Sequence, residues 1–188
     1  MKSIVIFLLL FNPYIFSQEI SFYKEDITFK LDRNYFKVDA YYWFANQSDK
    51  NYEKVIYYPF GNNSEKEQID SLEVSNISQN IIPKISNYNK DGFLFLLGIA
   101  ARDTEVYHIK YVQKITSDSV KYILLSTRQW NKALDNAEYK LIVDNQIKLT
   151  KFSYQPDKAY DITDKKIYYW KRSNFIPKSD MIFHFKYK

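Results

Sequence analysis

The sequence contains no cysteine, which removes disulfides, thiolate nucleophiles and thiolate metal ligands together. It also excludes a lipidated cysteine at the end of a leader peptide. The 3 glycines, Gly61, Gly92 and Gly98, lie too far apart for a phosphate-cradling loop or a nucleophile elbow. Ser126 has no recognisable base nearby in sequence, so a nucleophilic hydrolase is not supported. The 2 histidines, His108 and His184, share no HxH or HxxxH spacing. Zinc takes three or four ligands, so no metal site is expected, and both read as structural strand residues. Blocks of like charge are missing as well. Lys and Arg (27) are interleaved with Asp and Glu (22) for a net charge of +5, which argues against nucleic acid as a partner and leaves a mild preference for acidic surfaces.

No apolar run is long enough to span a membrane. The longest near the N-terminus, Ile4 to Phe11, is stopped by Asn12 and Pro13, whereas a spanning helix needs about 20 apolar residues. Lys2, this short apolar core, the helix breaker and the small Ser17 before Gln18 make a secretory leader, with cleavage expected after Ser17. Residues 1–17 are therefore read as a signal peptide and 18–188 as one domain. The expected location is secreted, periplasmic or on the cell surface. Export of a cysteine-free domain suits a bacterial envelope better than a disulfide-forming secretory route.

What is abundant is aromatic: 18 Tyr and 14 Phe, with aromatics at 19% of the chain. Aromatic and β-branched residues suit the half-buried, pleated surface of a sheet. In Asn34 to Phe44, Phe36, Val38, Ala40, Tyr42 and Phe44 alternate with Tyr35, Lys37, Asp39, Tyr41 and Trp43. The even set is expected to face the core of a sheet covered on one side. Tyr52 to Tyr58 reads as the returning strand of a hairpin. Glu105 to Lys114 with Val120 to Leu125, and Glu138 to Val143 with Ile147 to Tyr154, read as two more. Gly92 to Ala101 is an apolar run read as a buried strand, and Lys24-Glu25-Asp26 reads as a polar kink in the first strand segment. Pro156 to Thr163 reads as a polar connection. The expectation is an all-β, mainly antiparallel sandwich of about ten strands.

One stretch stands apart. In Ser126 to Val143, Trp130, Leu134 and Ala137 fall at the spacing of one helical face between strand-like runs. They are expected to form a short helical insertion with a structural role, Trp130 closing one end of the sandwich.

Candidate binding residues come from aromatic pairs on mixed faces. Tyr41 with Trp43, and Tyr168 with Trp170, could stack against sugar rings if open to water, although aromatic side chains more commonly fill cores. Asp157, Asp161 and Asp164 are the acidic candidates for a glycan-active enzyme, which needs only two placed carboxylates, or for calcium, although PDKAYDITD does not match a calcium loop. Acidic residues in turns are usually solvated or cap backbone amides. Asn46, Asn62 and Asn76 head N-x-Ser triplets, read as coincidences of an Asn-rich chain.

The order of alternating strands, the turn YYPFG at Tyr57 to Gly61 and the segment TRQWNKALDNAEYKLIV at Thr127 to Val143 resemble secreted bacterial β-sandwich domains of uncharacterised function. That resemblance implies an immunoglobulin-like sandwich and an envelope location, and it carries over no catalytic residue. The reading as a whole is an exported, non-enzymatic cell-envelope or extracellular interaction module binding a protein or a surface polymer. It uses no cofactor, and the mature protein has no stable membrane insertion. A carbohydrate-binding module using Tyr41, Trp43, Tyr168 and Trp170, and a glycan-active enzyme with an acidic pair, are the alternatives.

Overall fold

A computed structural model describes residues 20–61 and 68–188. The leader read at residues 1–17 lies outside them, as does Asn62. The described residues form thirteen strands and almost no helix. In chain order these are β1 (Ile20–Leu31), β2 (Tyr35–Asn46), β3 (Tyr52–Pro59), β4 (Ile69–Asn76), β5 (Ile85–Asn89), β6 (Gly92–Ile99) and β7 (Thr104–Lys114). They continue with β8 (Ser119–Tyr122), a 3-10 helix (Leu125–Trp130), β9 (Leu134–Asp144), β10 (Ile147–Phe152), β11 (Lys158–Ile162), β12 (Lys165–Phe175) and β13 (Met181–Tyr187).

Seven strands make one large sheet in the order β11-β12-β9-β1-β2-β7-β4, and two three-stranded sheets, β10-β13-β8 and β3-β6-β5, form the opposing layer. All pairings are antiparallel except β1 with β9, which run parallel at the centre of the large sheet. The layers meet through ring contacts such as Phe29 with Phe183 at 5.5 Å and Phe95 with Tyr107 at 5.6 Å. Burying these side chains is the main stabilising term, on the order of 25 cal/mol per Å² of apolar surface removed from water.

Side-chain alternation decides which residues fill that core. On β2, Phe36, Val38, Ala40, Tyr42 and Phe44 are all buried, as their period of two predicts. On β7, Tyr107, Ile109 and Tyr111 are buried in the same way. The apolar run at β6 is a strand, but only one face is buried: Phe93, Phe95, Leu97 and Ile99 point inward, while Leu96 is 38% exposed.

The three expected hairpins do not form. β3 pairs with β6 rather than β2, β8 pairs with β13 rather than β7, and β10 pairs with β13 rather than β9. In each case the chain leaves the large sheet and enters the opposing layer. The link at Asn145 and Gln146 makes the reason visible: the Asn145 N–H bonds Asp164 O beside the large sheet at 3.1 Å, and Gln146 O accepts from Lys188 N beyond β13 at 2.9 Å. A short polar link is a corner between layers as readily as a hairpin turn.

The helical insertion is shorter than expected. Asn131 adopts a left-handed conformation (φ 50°) and ends the 3-10 helix directly after Trp130. Leu134 and Ala137 therefore lie on β9, both buried in the core, and share no helical face with Trp130. The expected polar kink at Lys24-Glu25-Asp26 is continuous β-strand with a register shift between Phe22 and Lys24. The expected polar connection after Pro156 contains β11, which pairs with β12 through a tight turn.

Candidate functional site

The opposing layer is interrupted where β3 and β8, edge strands of its two sheets, face each other without pairing. They touch at one end. A Cβ placed on Gly61 would lie 1.7 Å from Lys121 O, so only glycine permits this approach of backbones. Along the rest of β3 a cavity of about 340 Å³ opens between that strand and the segment from Tyr122 to Trp130. Sites for small ligands commonly have about this size. Its floor is the inner face of the large sheet.

The walls are aromatic. Phe22, Phe44 and Trp130 form a cluster, with ring centroids 5.0 Å apart for Phe22 and Phe44 and 5.3 Å for Phe44 and Trp130. Trp130 is half-buried. It closes one side of the cavity rather than sitting sealed in the core. Lys54 and Gln129, both exposed, stand at the mouth.

The polar floor has a definite architecture. Tyr42 of β2 reaches both edges of the gap: its hydroxyl lies 2.8 Å from that of Tyr58 on β3 and 2.7 Å from that of Tyr122 on β8. Beside this chain of hydroxyls lies Glu25 of β1, a residue with 0% exposure. Tyr139 of β9 donates its hydroxyl proton to Glu25 Oε1. The other oxygen, Oε2, has no hydrogen-bond partner among the described residues. Burial pushes the Glu25 carboxyl up to about 7, against the opposing pull of the Tyr139 hydrogen bond. Burial holds the hydroxyls of Tyr42, Tyr58, Tyr122 and Tyr139 well above their ordinary range, so they remain neutral donors and acceptors. An unpaired buried acceptor costs about 1–3 kcal/mol. That cost falls at the floor of a ligand-sized cavity.

Glu25 was expected only as part of a polar kink, yet the signal of an inward carboxyl was present. Glu25, Ile27, Phe29 and Leu31 are in phase on β1, and all four are buried. A carboxylate occupying an inward position of an otherwise apolar row was the mark.

The aromatic pairs separate. Trp170 has 0% exposure and donates its ring N–H to Tyr154 O at 3.0 Å. Tyr168 shares that inner face and packs on Phe152 at 5.2 Å. Trp170 is thus corrected from a candidate ligand platform to a core residue, because β12 turns this face toward β10 and β13. Tyr41 and Trp43 lie half-buried on the outer face of the large sheet. His108 stacks on Tyr41 at 4.1 Å with 7° between the rings, and its Nε2 lies 2.7 Å from Asp39 Oδ1. Lys24 lies 4.0 Å over Trp43. The chain's own side chains already cover one face of each ring.

The acidic candidates do not converge. Asp157 forms a forked contact with Arg172 at 2.7 and 2.8 Å and accepts the Lys171 N–H, which holds its carboxyl below the usual range despite partial burial. Asp161 lies 3.7 Å from Lys166, and Asp164 is exposed at the β11–β12 turn. Asn46 and Asn76 are 2% and 1% exposed, so neither can accept a glycan in the folded protein. Among the described residues no group of three or more His, Asp or Glu side chains is placed to hold a metal ion, and no helix is long and apolar enough to cross a membrane.

Fold and cavity together define a layered all-β domain with a pocket between two edge strands, and solved structures share the fold. One is a Legionella pneumophila protein provisionally named a nutrient binding protein, which matches over 89% of this chain and 67% of its own with a TM-score of 0.75 at 14% identity. An M1 zinc metallopeptidase of Deinococcus radiodurans matches with TM-scores of 0.53 at 7–9% identity; 89% of this chain aligns, but only about 42–43% of the peptidase. At such identities the likeness is one of fold. No protein-family model matches the sequence, and no curated protein does.

Proposed function

We propose that this chain is an exported, non-enzymatic binding module that takes its ligand between β3 and β8. The observation that carries this reading is the unpartnered Glu25 Oε2 at the floor of an aromatic-walled cavity. Glu105 Oε2 is buried and, among the described residues, unpartnered as well, so what sets Glu25 apart is its place on the cavity, where a bound group that donates to Oε2 removes the cost. The mouth is open to a free small molecule or to the projecting end of a surface polymer or partner protein. The leader sequence at residues 1–17 supports export. The likeness to the Legionella protein, named for binding a nutrient, is compatible with a binding role.

Catalysis finds less support. The cavity presents one carboxyl among neutral tyrosines, whereas glycoside hydrolysis needs a second acid across the groove. The carbohydrate alternative loses Trp170 to the core, Tyr168 packs on Phe152, and Tyr41 and Trp43 already carry His108 stacked on one ring and Lys24 over the other.

A thermal-shift screen of small metabolites against the mature protein and Ser126→Trp tests the reading. Ser126 is a half-buried lining residue outside the hydrophobic core, so the indole should obstruct the cavity and leave the fold intact. Ligands that raise the melting temperature of the wild type and not of the variant are expected. Hits that shift both equally, or none at all, would contradict it. Recovery of a product lacking residues 1–17 outside the cytoplasm checks export.

A further inference from the structure

The floor of the cavity discriminates between ligand chemistries. Its hydroxyls are largely committed: Tyr42 is engaged with Tyr58 and Tyr122, and Tyr139 with Glu25. The floor atom left with no partner among the described residues is one carboxyl oxygen, an acceptor only when ionised. The groups facing Glu25 are Tyr42 from β2, Tyr58 from β3, Tyr122 from β8 and Tyr139 from β9, all neutral; the cation lining the cavity is Lys54, at the exposed mouth. Above about pH 7 an anionic group would meet a carboxylate with no buried counter-charge. A sugar would bring many hydroxyls to a floor whose other acceptors are the spare lone pairs of tyrosine oxygens already engaged with one another, leaving many of them poorly satisfied in a desolvated place. A protonated amine satisfies every condition. It donates to Oε2, supplies the missing positive charge, and sits among rings whose faces are electron-rich.

We propose that the cavity selects a small organic ammonium compound, with its N–H donated to Glu25 Oε2 and its carbon skeleton against Phe22, Phe44 and Trp130. This rests on the reading of the cavity as the ligand site. Binding is coupled to protonation in a defined way. Below about pH 7 the free protein carries a proton on Glu25, and the incoming ammonium expels it to solvent, so the complex contains carboxylate and ammonium with one proton released. Affinity therefore rises with pH through that range.

Titration calorimetry with three probes of shared skeleton tests the idea: 2-phenylethylamine, 2-phenylethanol and 3-phenylpropionate, each at millimolar concentration. At about pH 8 the amine should bind roughly tenfold tighter than the alcohol, the size expected of one charge-assisted hydrogen bond, and the carboxylate weakest. In Glu25→Gln the advantage of the amine should vanish while alcohol binding persists. At about pH 6 the wild-type heat of amine binding should depend on the ionisation enthalpy of the buffer, revealing the released proton without any variant. Equal binding of amine and alcohol, an advantage that survives Glu25→Gln, or a buffer-independent heat overturns the ammonium assignment and leaves the cavity a ligand site. Failure of all three probes to bind overturns both.

Discussion

Glu25 and Asp26 are consecutive on β1 and face opposite sides of one sheet, and their surroundings differ in kind. Asp26 lies half-buried on the outer face, where burial and nearby Glu138 raise its carboxyl while Lys140 and Lys24 hold it down. That outer face compensates its charges: Glu138 accepts from Tyr169 at 2.8 Å and pairs with Lys171 at 2.8 Å, and His108 meets Asp39. On the inner face Glu25 has hydroxyls for neighbours and no cation. An exposed face meets its charges with partners that water screens, so each pair contributes little. The inner face offers Glu25 no such partner, and an ionised acid left there without one is costly.

The largest difference between the faces should appear on truncating tryptophans. Trp170→Ala, at a fully buried inner site, should cost about 3–5 kcal/mol in urea denaturation, whereas Trp43→Ala on the outer face should cost about 1 kcal/mol. Similar losses at the two sites would erase the contrast. Trp130→Ala should fall between them, at about 1–2 kcal/mol, because the ring is only partly buried and borders the cavity.

Next comes pH. The Glu25 carboxyl is raised in the folded state to about 7 from 4.5, so the native protein holds a proton that the unfolded chain releases. Stability should therefore fall as pH rises from about 4.5 through about 7, by roughly 3 kcal/mol in total, and stay low above that. Denaturation midpoints across this window should flatten in Glu25→Gln. A wild type whose stability is level from about pH 5 to 8 would give Glu25 the titration of an ordinary solvated glutamate.

Removing the one donor to Glu25 is a smaller step. Tyr139→Phe should cost about 1–2 kcal/mol above pH 7 and push the Glu25 titration higher, because the carboxylate then lacks its hydrogen bond. Smallest is Glu138→Gln on the outer face, expected at about 0.5 kcal/mol and weaker still in high salt.

The buried faces were legible because period-two alternation is a local property: Phe36 to Phe44 and Tyr107 to Tyr111 point where the pattern directs them. Strand partners were not, because alternation says which side is covered and nothing about which edge pairs. The Asn145 and Gln146 link reads like a hairpin turn and acts as a corner. Trp170 was misread for a related reason. Lys166 and Arg172 share its face while Ile167, Tyr169 and Lys171 share the other, so both faces read as mixed, and only the position of β12 over Phe152 and Phe183 decides which side is dry. The cavity itself could not be read, since it is made by the failure of β3 and β8 to pair. Glu25 could have been, as the single charge in a buried row.

The most direct test is the titration of the Glu25 carboxyl, followed by carbon-detected NMR of glutamate-labelled protein and assigned through the signal lost in Glu25→Gln. A midpoint near 7, lowered when 2-phenylethylamine is present, is the predicted result. A midpoint near 4.5, the value of an ordinary solvated glutamate, would contradict the account at its centre.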